Sequence, residues 1–87
     1  MTEQQKKLDD LMQSLKQQWD ELRVRAHLAK ADIKDEWVKV DRQFIRLMDD
    51  YKPTRDAASQ TAANVWSALQ LAGEEVLKGF DQIRKTL

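Results

Sequence analysis

A chain of 87 residues has room for one domain and a small core. Fifteen basic and fifteen acidic side chains cancel to a formal net charge of zero, which removes the basic excess expected of a dedicated nucleic-acid binder. Cysteine is absent, so disulfides and thiolate metal sites are excluded. The first ten residues are polar and charged, and no run approaches the roughly 18 apolar residues of a spanning helix. The expectation is a cytoplasmic protein with no nucleic-acid partner.

Residues 1–52 contain neither glycine nor proline. Thr2 and Gln5 have the spacing of a capping box, which predicts a first helix beginning near residue 3. From Leu8 an apolar stripe runs through Leu11, Leu15, Trp19, Leu22, Ala26, Ala29, Ile33, Trp37, Val40, Phe44, Leu47 and Tyr51. Every step is three or four residues and the mean is roughly 3.6, the period of a straight α-helix. The pattern predicts one uninterrupted helix over about residues 3–50.

Asp49, Asp50, Tyr51, Lys52 and the single proline, Pro53, mark a turn at about 51–53, because proline disfavours helical geometry at the residue before it and suits the first turn of the next helix. A second helix is predicted over about 54–86. Its apolar face carries Ala58, Ala62, Val65, Leu69, Ala72, Val76, Phe80, Ile83 and Leu87, with Asp56 near its positive end and Arg84 and Lys85 near its negative end. Gly73 and Gly79 each cost about 1 kcal/mol relative to alanine within a helix, yet the apolar spacing continues through both.

The fold class predicted is therefore all-α, a long antiparallel helical hairpin in one domain. Its register sets Trp37 opposite Trp66 and leaves the segment Leu8 to Leu15 overhanging, with no partner in the same chain. Between residues 22 and 40 the first helix is also apolar on a second face, through Val24, Leu28, Ala31 and Val38. The second helix answers with Trp66, Ala68, Leu71 and Leu77. Two helices bury only the seam between them, so stripes this wide predict a homodimer that completes a four-helix bundle. The expected self-association interface comprises Leu8, Leu11, Met12, Leu15, Trp19, Val24, Leu28, Trp37, Trp66, Leu71 and Leu77. A partner protein supplying the missing helices is the competing expectation.

No residue pattern carries recognisable chemistry. His27 is the only histidine, and Val24 stands where a Glu-x-x-His di-iron motif needs glutamate. Arg23, His27, Lys30 and Lys34 form a short basic stripe beside the apolar seam, the best candidate for holding an anion. In the hairpin register, Glu74, Glu75 and Asp81 lie near enough to pair with it and fix the alignment instead. Asp32, Asp35 and Glu36, like Glu74 and Glu75, read as solvated faces, since two helices joined by one turn offer no cleft for general acid–base work. Glu3 with Lys7, Glu21 with Arg25 and Asp35 with Lys39 have the favourable acid-first spacing of four. Phosphate loops, nucleophile elbows and zinc signatures are absent. Neither an enzyme nor a cofactor is expected.

Trp19, Trp37 and Trp66 are the largest apolar groups. Tryptophan on an amphipathic helix can mark a membrane interface, but Trp19 and Trp37 share a face with leucines and valines while the polar faces carry both signs, as core packing requires. The run Glu21-Leu-Arg-Val-Arg-Ala-His-Leu-Ala-Lys-Ala-Asp-Ile-Lys-Asp-Glu-Trp37 resembles a segment of small uncharacterised bacterial coiled-coil proteins. Val65-Trp66, the run Leu71 to Val76, Gly79-Phe80 and Ile83 are similar to the second helix of that family. The resemblance implies a bacterial, cytoplasmic helical protein without catalytic residues, and some loosely similar proteins are associated with stress responses. The expected function is a self-associating structural or protein-interaction module, the alternative a peripheral amphipathic lipid binder.

Overall fold

The computed structural model describes residues 3–57, 60 and 62–87 and is all-α. Among the described residues there are three helices: α1 (Glu3–His27), α2 (Ala31–Asp56) and α3 (Ala63–Thr86). Thr2, the proposed cap, and Ala58 lie outside the described residues. The long first helix expected over residues 3–50 is thus two helices, broken at Leu28, Ala29 and Lys30.

At this break α1 tightens before it ends, with Leu28 N donating to Arg25 O at 3.3 Å and Ala29 N to Ala26 O at 3.1 Å. Such three-residue closures satisfy carbonyls that a helix end leaves open. Lys30 then takes an extended conformation as the N-cap of α2 (φ −66°, ψ 160°) without a side-chain capping bond. Arg25 and His27 in the last turn of α1 and Asp32 in the first turn of α2 suit the helix dipoles on either side. The reason for bending is tertiary. A straight rod cannot cover its own amino-terminal half, whereas a bend returns α2 along α1.

The second break also moves. Helix α2 continues through Pro53 to Asp56 instead of turning at 51–53. Proline withdraws one backbone donor, and in the same turn Thr54 Oγ1 donates to Asp50 O at 2.8 Å. Tyr51, buried, anchors this end of α2 by donating its hydroxyl proton to the Asp9 carboxylate.

The helices run up, down and up. Tyr51 meets Asp9 while Trp19 Nε1 donates to Asp41 Oδ1 at 2.6 Å, so α1 and α2 are antiparallel. Gln4 Nε2 donates to Ser67 Oγ and Arg84 Nη2 to Gln18 Oε1, both at 2.9 Å, so α1 and α3 are parallel. Helix α3 packs on both others more extensively than they pack on each other. The result is a rod of 44 × 18 × 17 Å.

Leu8 and Leu15, at 0 % exposure, and Met12 are covered inside the bundle rather than awaiting a second copy. The two-helix register that left them overhanging does not apply, because α3 lies beside α1 from its first turns. Nor does Trp37 meet Trp66. Trp37 stacks on Phe80 (centroids 5.9 Å apart), Trp19 stacks on Phe44 (5.6 Å), and Phe44 and Phe80 touch at a tilt (6.0 Å). Trp66 is buried, and its Nε1 has no hydrogen-bond partner among the described residues.

The two glycines of α3 mark its closest approaches. A Cβ at Gly79 would lie 2.8 Å from Val40 Cγ2 and 3.1 Å from Cγ1, whereas one at Gly73 would meet the tip of Leu11 (Cδ2, 2.7 Å). Valine is stiff at χ1, while the half-buried Leu11 can swing its tip away. Gly79→Ala is therefore expected to lower stability by about 1–2 kcal/mol, overpacking outweighing the propensity gain. Gly73→Ala should fall within about 0.5 kcal/mol of the parent, its propensity gain offset by the Leu11 adjustment. Urea unfolding of both variants checks the ranking.

Candidate functional site

The corner between α1 and α2 leaves apolar surface uncovered. Leu28, at the bend, is 80 % exposed, and Val24 and Val38 are 57 % and 44 % exposed on the two helices that meet there. With Ala26 and Trp37 they form the floor of a groove of about 600 Å³, open to solvent. Its remaining lining is Arg23, His27 and Lys34. Three of the four residues of the basic stripe thus gather around one apolar depression, without an acidic side chain in the lining. Lys30, the fourth, faces the neighbouring depression with Arg25, Asp32 and Glu36.

Arg23, Lys34 and Trp37 are each placed by a local cause. Arg23 lies over the Trp19 ring at 4.8 Å from its centroid, and that indole is fixed from below by the Asp41 bond and the Phe44 stack. A guanidinium on an indole face gains about 0.5–1 kcal/mol where exposed and keeps its outer N–H groups free for another acceptor. Lys34 stands on the first turn of α2, its backbone N–H donating to Lys30 O at 3.0 Å. Trp37, in the floor, is held by its stack on Phe80.

The expected pairing of this stripe with α3 does not form. Glu75 pairs with Lys78 at 3.9 Å, Asp81 with Arg84 at 3.0 Å, and Glu74 accepts from Gln70 Nε2 at 3.5 Å, all within α3. Parallel packing of α3 on α1 moves these acids away from Arg23 and His27. Of the predicted acid-first pairs, Glu3 meets Lys7 at 3.7 Å, while Lys39 lies nearer Glu36 (4.0 Å) than its expected partner Asp35. These pairs are exposed and each contributes about 0–1 kcal/mol.

The expected self-association surface therefore divides in two. Leu8, Met12, Leu15 and Trp66 are core, with Leu11, Trp19, Trp37 and Leu77 packed against that core and partly buried. Val24, Leu28 and Leu71 stay exposed, Leu71 on the outer face of α3. Ile45, 48 % exposed between Arg42, Arg46 and Asp49, is a further exposed apolar residue that periodicity did not single out. Among the described residues no three His, Asp or Glu side chains gather in a way that could hold a metal ion, and no helix is long and apolar enough to cross a membrane. No family model matches this chain, and no curated protein or solved structure matches it.

Since Leu28 contacts little of its own chain, Leu28→Gln should change unfolding free energy by no more than about 0.5 kcal/mol. Leu22→Ala, six residues earlier in α1 and buried, should cost about 2–5 kcal/mol. Chemical denaturation followed by circular dichroism distinguishes the two.

Proposed function

We propose that this chain is a non-enzymatic protein-interaction module whose corner groove receives an amphipathic helix bearing acidic residues beside its apolar anchors. The observation that carries this reading is the composition of the groove: an apolar floor of Val24, Leu28, Trp37 and Val38 rimmed by Arg23, His27 and Lys34, with no acidic side chain in the lining. An amphipathic helix laid in such a groove is a recurring recognition mode, with anchors at positions i, i+3 and i+4. An apolar patch bounded by charge of one sign selects partners of opposite sign and speeds their encounter. The groove is open rather than enclosed, which suits a helix better than a small ligand needing most of its surface covered. It is also built almost wholly from the stretch Glu21 to Trp37 that resembles small bacterial coiled-coil proteins.

The test is a titration of the isotopically labelled protein with a synthetic helical peptide carrying leucines at helical spacing flanked by glutamates. Backbone shifts should cluster at residues 23–28 and 34–38, affinity should fall as salt is raised, and Leu28→Glu should weaken binding at least about tenfold while leaving the fold intact. Shifts spread evenly over the rod, or an unchanged affinity for Leu28→Glu, refute the groove. If anionic vesicles, and not the peptide, perturb the same residues, the amphipathic lipid-binding alternative replaces this reading.

A further inference from the structure

The bend that separates α1 from α2 is unusual in what it lacks. Leu28, Ala29 and Lys30 are all strong helix formers, none adopts a positive φ, and no glycine, proline or side-chain cap enforces the stop. The apolar stripe passes through the break in phase, from Ala26 through Ala29 to Ile33. Apart from the flanking charges of Arg25, His27 and Asp32, everything local to these three residues is compatible with a continuous helix, so the bend is held chiefly by the contacts it permits. Those contacts do not require that α1 and α2 come from one chain.

From this we infer that the chain exchanges α1 with a second copy of itself by straightening at residues 28–30. In the exchanged dimer α1 and α2 form one helix of about 80 Å at 1.5 Å per residue. The α1 segment of each copy packs into the α2–α3 pair of the other. The Tyr51–Asp9, Trp19–Asp41 and Arg84–Gln18 bonds are all remade, now between chains. Exchange of an identical element is a low-cost route to a dimer because the interface already exists. It reburies Leu8, Met12, Leu15 and Leu22, which are sealed inside the closed form. Straightening adds one surface that the closed form leaves in water: Val24, Leu28, Ala31 and Val38 align on one side of the continuous helix. The two long helices cross at this point, which gives the exposed Leu28 a partner. Two long helices and two copies of α3 then make two three-helix bundles joined end to end, each with the packing of the closed form. This inference does not rest on binding at the corner groove, although both use Val24, Leu28 and Val38.

Two measurements test it. The chain has no cysteine, so Gln18→Cys with Arg84→Cys places one reactive pair across α1 and α3, residues joined at 2.9 Å in the closed form. The dimer fraction, prepared by refolding at millimolar concentration and separated by size, is treated with a short bis-maleimide and run under denaturing conditions. Exchange yields covalent dimers from that fraction and internally linked monomers from the monomer fraction. Internally linked monomers from the dimer fraction, or the absence of any dimer, overturn the inference. Separately, Ala31→Pro places proline at the first position of α2, where the bent form tolerates it and a continuous helix does not. Lys30→Asp supplies the missing cap of α2 and favours the bend by another route. Each should lower the dimer fraction at least about tenfold with helicity and thermal midpoint of the monomer retained. A dimer fraction unchanged in the folded variants rejects straightening at this hinge.

Discussion

Phe80 anchors the chain of aromatic rings that links the three helices. Its ring is wholly buried, stacks with Trp37 and leans on Phe44, and Phe44 in turn stacks with Trp19 of α1. Each such aromatic pair contributes about 0.5–1.5 kcal/mol beyond the area it buries. The chain of four rings therefore ties α1 to α2 and α2 to α3 without a direct ring contact between α1 and α3. It is possible because Gly79, beside Phe80, lets α3 approach Val40 to a distance that no side chain would allow. The polar bonds follow from it. Trp19 is held flat enough to give its N–H to Asp41 and its outer face to Arg23.

The same ring chain determines what the surface can do. Trp37 is fixed by its stack on Phe80 and lines the corner groove. Arg23 is fixed by Trp19 at the groove's rim. Floor and rim are thus positioned by core contacts rather than by loops, as a preorganised binding surface requires. Glu75 and Asp81 pair within α3, and no acid of that helix lines the corner groove, which leaves its cations without acidic neighbours from α3.

Much of the core was legible in the sequence. Leu8, Leu15, Leu22, Val40, Phe44, Leu47 and Tyr51 lie on the stripe read at a 3.6-residue period, and all are buried. The break was not legible from that stripe, because bending a helix at residues 28–30 leaves the burial pattern of both halves in phase. A weaker signal was present. Arg25 and His27 precede the break and Asp32 follows it, the charge order of one helix ending and another beginning. Pro53 misled in the opposite direction. Read as a boundary, it sits inside the last turn of α2, where the burial of Tyr51 keeps the helix going. Once the break was missed, the direction of α3 relative to α1 was wrong, and with it the predicted pairing of Arg23 and His27 with Glu74, Glu75 and Asp81. The site itself was half visible. The basic stripe and the second apolar face could each be read from spacing, but that they share one depression depends on the bend.

Groove and straight helix exclude each other. Val24 and Val38 border the same depression only because the chain turns between them. In a continuous helix they stand roughly 21 Å apart, and no depression joins them. A helix seated in the groove would therefore bind the bent form alone, and anything that binds one of two forms shifts the balance toward it by mass action. The linkage is reciprocal: a chain committed to exchange with its copy has no groove to offer, and a chain occupied at its corner resists exchange to the same extent in free energy. On the two readings proposed above, three residues without a glycine, a proline or a side-chain cap would decide between two uses of the same apolar surface, one turned toward a partner and one toward a second copy.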